Sequence, residues 1–175
     1  MRRLSVLFAF SLFCALLAVQ PAIAQRYAIT DLGTLPGDVA SSGRGINRSG
    51  QVTGYSYTGI GNIVHAFLYS EGVMLDLGTL PGGNTSAGYA ISGPKRDIKV
   101  TGYSNVPDGS NHAFLYTDGV MHDLGTLPGG IYSGGLAVNR SGQVTGSSNF
   151  GTDYHQVHAF LYSDGQMVDL GAPTW

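Results

Sequence analysis

The segment His65-Ala66-Phe67-Leu68-Tyr69-Ser70-Glu71-Gly72-Val73-Met74-Leu75-Asp76-Leu77-Gly78-Thr79-Leu80-Pro81-Gly82-Gly83 decides how this chain is organised, because it recurs. Residues 112–130 read HAFLYTDGVMHDLGTLPGG, and residues 158–171 read HAFLYSDGQMVDLG. A headless copy, Asp31-Leu32-Gly33-Thr34-Leu35-Pro36-Gly37, comes earlier. The His-Ala-Phe blocks start at 65, 112 and 158, which are 47 and 46 residues apart. The Asp-Leu-Gly blocks start at 31, 76, 123 and 169, at intervals of 45, 47 and 46. Between them, Ile46-Asn47-Arg48-Ser49-Gly50-Gln51-Val52-Thr53-Gly54 returns as Val138-Asn139-Arg140-Ser141-Gly142-Gln143-Val144-Thr145-Gly146. The middle copy, over 91–102, carries three extra residues and lacks the Asn-Arg-Ser-Gly turn, which puts the regularity of its hairpin in question.

Each period divides into four short extended pieces. In the first copy these are 45–46, 51–57, 65–69 and 73–77. Ser70-Glu71-Gly72 reads as a hairpin turn, and Leu80-Pro81-Gly82 places Pro and Gly where a type II turn needs them. Frequent glycine and runs of only a few residues leave no room for a helical period. Four strands in about 46 residues is the arithmetic of a propeller blade, a small sheet covered on both faces. That accounts for Ala113-Phe114-Leu115-Tyr116, which is apolar on both sides.

The predicted fold is therefore all-β. It has three four-stranded propeller-like blades (38–83, 84–130 and 131–175), a partial repeat at 27–37 and one extra N-terminal strand at 27–32. The expected architecture is an incomplete or open β-propeller, with a β-solenoid-like stack as the alternative. Closed propellers have about 4–8 blades. Three blades leave three outcomes open: an arc with an exposed edge, two chains sharing a six-blade ring, or a piece of a longer array. Exposed strand edges are an aggregation liability, so self-association is expected.

Residues 1–24 read as a signal peptide. Arg2 and Arg3 are followed by an apolar core from Leu4 to Val19 and an Ala-x-Ala site at Ala22-Ile23-Ala24. Cleavage between Ala24 and Gln25 leaves 25–175 as a single repeat domain, secreted or periplasmic, with no stable membrane anchor. It also removes Cys14, the chain's one cysteine, so no disulfide is expected. Loss of Arg2 and Arg3 leaves seven basic against eleven acidic residues, a net charge of −4. Charged residues are 11% of the chain, well below the roughly 25% of an ordinary domain, and no basic run points to nucleic acid.

His65, His112 and His158 head the repeats, each eleven residues before Asp76, Asp123 or Asp169. A His with an Asp suggests a general base or a metal site. Recurrence at blade spacing favours a structural pair inside each blade. The lone aspartates are poor calcium loops. Asp153, His155 and His158 form the one mixed cluster that invites zinc, and they read better as a polar loop. No metal, cofactor or catalytic residue is expected. The copies diverge at 57–64, 105–110 and 147–157, which would lie on one face together with the links between blades. That face collects Tyr57, Asn62, Tyr103, Asn105, Tyr132, Asn149, Phe150, Tyr154 and His155 as candidate binding residues for a protein or carbohydrate ligand.

The His-Ala-Phe triplets at 65–67, 112–114 and 158–160, joined to the Asp-Leu-Gly-Thr-Leu-Pro-Gly-Gly and Ile-Asn-Arg-Ser-Gly-Gln-Val-Thr-Gly motifs, resemble the HAF repeat family of extracellular repeat proteins. The resemblance covers 27–171 and implies an exported, propeller-like bacterial protein with no catalytic residues to carry over. The expected function is a non-enzymatic binding or scaffold module. The alternatives are a glycan hydrolase, which needs carboxylates from different repeats about 5–10 Å apart, and a structural surface or matrix component.

Overall fold

Each repeat folds into its own antiparallel meander, because its strands are joined by turns too short for any other path. The computed structural model describes residues 27–61, 63–151 and 153–171, except the side chains of 153 and 154. Sheet 1 contains β1 (Ala40–Ile46), β2 (Val52–Tyr57), β3 (Val64–Ser70) and β4 (Val73–Asp76) in sequence order. Sheet 2 contains β5 (Ser86–Ser92), β6 (Lys99–Asn105), β7 (Asn111–Thr117) and β8 (Val120–Gly125), and sheet 3 contains β9 (Ser133–Val138), β10 (Val144–Phe150), β11 (Asp153–Ser163) and β12 (Gln166–Asp169). There is no helix among the described residues. No described helix is therefore long and apolar enough to cross a membrane.

The turns follow their residues. Glu71 and Gly72 have φ of 53° and 83°, and the pairs Asp118-Gly119 and Asp164-Gly165 match them, as a type I′ hairpin requires. After each Leu-Pro the glycine is left-handed (Gly37, Gly82, Gly129), and the next amide returns to the leucine carbonyl at 2.8–3.0 Å. The irregular middle copy still closes its hairpin, with Ser92 paired to Lys99 and the extra residues confined to the loop.

Sheets 1, 2 and 3 pack in chain order: β5 lies against β1, β2 and β3, and β9 lies against β5, β6 and β7. Between sheets 1 and 2, Ala66, Leu68, Leu77 and Leu80 meet Ile91, Val100 and Phe114. Between sheets 2 and 3, Ala113, Leu124 and Leu127 meet Val144 and Phe160. Phe114 and Phe160 are fully buried, each worth about 1.5–3 kcal/mol of transfer free energy. Threonine hydroxyls fill the remaining gaps. Thr53 and Thr101 donate to the Phe67 and Phe114 carbonyls at 2.8 and 2.6 Å. Each then sits against a glycine of the next sheet, Gly88 or Gly135, where an added Cβ would fall 2.3 or 2.0 Å from the threonine oxygen.

A serine ties each sheet to the one before it. Ser86 Oγ accepts the Ala66 amide at 2.8 Å and donates to the Gly78 carbonyl at 2.5 Å. Ser133 does the same with Ala113 and Gly125, at 2.7 and 2.5 Å. No buried side-chain polar atom among the described residues lacks a partner.

Three expectations change. The extra N-terminal strand does not form: residues 27–34 pair with nothing as a strand. A fourth strand pairs with a third, and β3, β7 and β11 already hold β4, β8 and β12. Leu35 nevertheless buries itself as Leu80 and Leu127 do. Most of 147–157 is not a loop either, because β10 and β11 run on to Phe150 and from Asp153. The solenoid alternative fails, since each repeat closes its own antiparallel sheet instead of continuing a shared ladder. The chain divides into units 1–30 and 31–175, and every strand among the described residues belongs to the second. The predicted signal peptide lies outside the described residues, as does Asn62.

Candidate functional site

A cleft forms where sheets 1 and 2 meet, at the end where β2 hands over to β3. Its position follows from a bulge repeated in every first strand. The register shifts between Gly43 and Gly45 and between Gly88 and Ala90, and again opposite Thr145 and Gly146. The residue left out of the ladder is Arg44, Tyr89 or Leu136, and a bulge re-aims such a side chain. Arg44 and Tyr89 turn toward Tyr55 on β2 and Tyr103 on β6. With Tyr57 and Val64 they line a cleft of about 310 Å³.

The cleft wall is held by its own contacts. Arg44 Nη2 donates to Tyr55 Oη at 3.0 Å, and its guanidinium carbon lies 5.2 Å from the Tyr55 ring centre. Tyr89 and Tyr103 meet edge to face, with centroids 5.6 Å apart at 60°. The Arg44 hydrogen bond holds the Tyr55 phenol below its ordinary value, with a smaller effect from Ser42. The same bond raises the guanidinium further. Burial pushes the Tyr89 phenol up, with Tyr103 next in effect. The cleft thus gathers one guanidinium among four tyrosine side chains.

A larger hollow of about 450 Å³ lies where the first strands of all three sheets end. Its walls are Ile46, Ile91 and turn residues, with exposed Arg48 and Arg140 at the rim. Those arginines make no ion pair among the described residues, so the larger volume has less fixed chemistry than the smaller cleft.

Of the residues chosen from sequence, Tyr57 and Tyr103 enter the cleft. Asn105 and Asn149 do other work. Asn105 Oδ1 accepts the amides of Asn84 and Thr85, and Asn149 Oδ1 accepts those of Ile131 and Tyr132, all at 2.8 Å. Asn149 is 1% exposed, so it fastens the link between sheets and is closed to a ligand. Phe150 stacks on His158 at 5.2 Å and packs into the core. Tyr132 lies on that link, bridged to Asn111, and His155 is an exposed position on β11. The side chain of Tyr154 lies outside the described residues. Sequence reasoning missed Arg44, Tyr55 and Tyr89. The signal available was the Tyr at equivalent positions 55 and 103, which gives way to Ser147 in the third copy.

The histidine at the head of each repeat bonds its own aspartate. His65 Nδ1 lies 2.8 Å from Asp76, and His112 and His158 lie 2.9 Å from Asp123 and Asp169. Each aspartate also accepts the amide two residues on, Gly78, Gly125 or Gly171, at 2.7 Å. These bonds, His158 first and Gly171 second, hold the Asp169 carboxyl below its ordinary value. The pairs are part-exposed, with histidine side chains at 32%, 21% and 16% and aspartates at 45%, 41% and 29%, so each fastens its hairpin weakly. Among the described residues no three His, Cys, Asp or Glu gather as metal ligands. No protein-family model, curated protein or solved structure matches the chain.

Proposed function

We propose that this protein is an exported, non-enzymatic carbohydrate-binding module of the HAF repeat type, its sheets arranged as blades of a propeller. The observation that carries the reading is the tyrosine cleft. A phenol ring offers an apolar face and a polar tip. A pyranose ring needs the same pair, a surface for its C–H face and partners for its hydroxyl rim. Tyr55, Tyr57, Tyr89 and Tyr103 supply both around the cleft. Arg44 keeps donors to spare after its bond to Tyr55, so a sugar bearing a carboxylate is favoured over a neutral one.

The propeller arrangement is supported by the way first strands pack on one another in chain order while the fourth strands form outer edges. The non-enzymatic reading is supported by the engagement of Asp76, Asp123 and Asp169 inside their own repeats, each with a histidine and a glycine amide. Export is supported by the leader-like stretch at 1–24.

The test is a binding screen of the purified protein against neutral and uronate-bearing oligosaccharides, repeated with Tyr103→Ala and Arg44→Ala. The reading expects Tyr103→Ala to abolish binding and Arg44→Ala to erase the preference for uronates and its sensitivity to salt. Absence of oligosaccharide binding, or binding indifferent to Tyr103→Ala, would overturn it.

A further inference from the structure

The two ends of the sheet stack carry matching halves of an interface that the molecule already builds twice inside itself. On the outgoing face of sheets 1 and 2, Ala66 and Ala113 are 0% exposed, Leu77 and Leu124 are 7%, and Thr53 and Thr101 are 0%. On sheet 3 the equivalent Ala159 and Thr145 are exposed, and Leu170 is 57% exposed. The incoming faces show the reverse. Ser86 and Ser133 are 0% and 3% exposed under the preceding sheet, and Ile91 is 9%. On sheet 1 the equivalent Ser41 is exposed, and Ile46 is 70% exposed. Gly43, unlike Gly88 and Gly135, faces no threonine.

The unfilled partners are specific. Ser41 Oγ already donates to the Gly33 carbonyl at 2.6 Å, as Ser86 and Ser133 do to theirs. It lacks the alanine amide that those serines accept, and no serine hydroxyl meets the Ala159 amide among the described residues. Asp31 accepts the Gly33 amide at 2.9 Å, in the geometry of Asp76, Asp123 and Asp169, without a histidine beside it among the described residues.

We infer that the outgoing face of sheet 3 takes the incoming face of sheet 1 from a second copy of this chain. The occupant is fixed by the two internal interfaces, which show what such a face binds. Ser41 of one copy then receives the Ala159 amide of the other, Thr145 fills the space over Gly43, and Leu170 gives up its place to Leu32. The exchange swaps Asp-Leu-Gly for Asp-Leu-Gly, so His158 meets Asp31 where it had Asp169. Such a contact is head to tail and forms a ring only if the rotation closes. Two copies give six sheets, within the range of closed propellers, and this closure rests on the propeller reading.

Sedimentation velocity over a wide concentration range, with small-angle scattering on the same samples, tests the inference. The wild-type protein is expected to form a compact dimer. Ala159→Arg, at a position exposed in the single chain, is expected to give a folded monomer with unchanged circular dichroism. Asp169→Ala, which removes the internal competitor for His158, is expected to tighten the dimer several-fold. A wild-type protein that stays monomeric at every concentration overturns the inference, as does a dimer indifferent to Ala159→Arg. Weaker association of Asp169→Ala overturns the exchange. An elongated assembly that Ala159→Arg dissolves keeps the docking and refutes the propeller closure alone.

Discussion

The interface between sheets 1 and 2 and the interface between sheets 2 and 3 share one frame and differ in one corner. Both are closed by a buried phenylalanine, a threonine over a glycine, and a serine bridging an amide and a carbonyl. In the first, the corner beside the β2–β3 connection holds Arg44, Tyr55, Tyr89 and Tyr103. In the second, Tyr89 and Tyr103 repeat on one side, but Leu136 and Ser147 replace the partners they would meet. The repeated residues are those the fold needs at each junction. On the proposed reading, recognition belongs to the corner where the copies diverge.

Removing a shared frame residue should hurt both interfaces alike, and this is the largest effect expected. Phe114→Ala and Phe160→Ala should each lose about 3–5 kcal/mol in urea unfolding. A much smaller loss for one would show that the two junctions are not the same construction. Ser86→Ala and Ser133→Ala leave a buried amide and carbonyl unpaired, and each should cost roughly 1–3 kcal/mol. Ser41→Ala, on the exposed end, should stay within about 0.5 kcal/mol when measured on the dimer-blocked Ala159→Arg background.

The corner should respond in the opposite way. Tyr89→Ala should cost about 2 kcal/mol or more of ligand affinity by calorimetry, as buried aromatic anchors do. Its cost in stability should be limited to the edge-to-face pair, roughly 0.5–1.5 kcal/mol plus lost area. Ser147→Ala should leave affinity untouched.

The smallest effect is electrostatic. The folded-state value of Asp169 lies below its ordinary 3.8, so the folded protein binds fewer protons there than the unfolded chain. Its contribution is complete above the ordinary value and is lost as pH falls through the lowered one. On the dimer-blocked Ala159→Arg background, where His158 stays with Asp169, thermal melts with and without Asp169→Asn should therefore differ at neutral pH and converge toward the acid end of that window. A gap independent of pH would assign the effect to packing.

The repeat, its four strands and both turn types were legible because each rests on local chemistry: Gly at left-handed positions, Pro before Gly, and apolar runs of strand length. The pairing of each histidine with its aspartate was legible as well, since the tight hairpin turn sets the aspartate opposite the phenylalanine two residues after that histidine, on the same side of the strand. The cleft was half legible. Tyr57 and Tyr103 stood out as aromatics beside the divergent segments, but Arg44 and Tyr89 are aimed by a bulge that no residue pattern announces. Asn105 and Asn149 looked like ligand contacts because polar residues near divergent loops resemble them. Their carbonyls cap backbone amides from seventeen to twenty-one residues away, a contact visible only once the strands are in register. The missing N-terminal strand has the same origin. Its sequence fits a fourth strand, and a strand exists only where an edge is free to receive it.

An amide chemical-shift titration with a uronate-bearing oligosaccharide reports the position of binding along with its occurrence. The largest changes are expected on Arg44, Tyr55, Tyr57, Tyr89 and Tyr103, with Leu136 and Ser147 unmoved. Changes centred on Arg48 and Arg140, or equal changes at both interfaces, would contradict it.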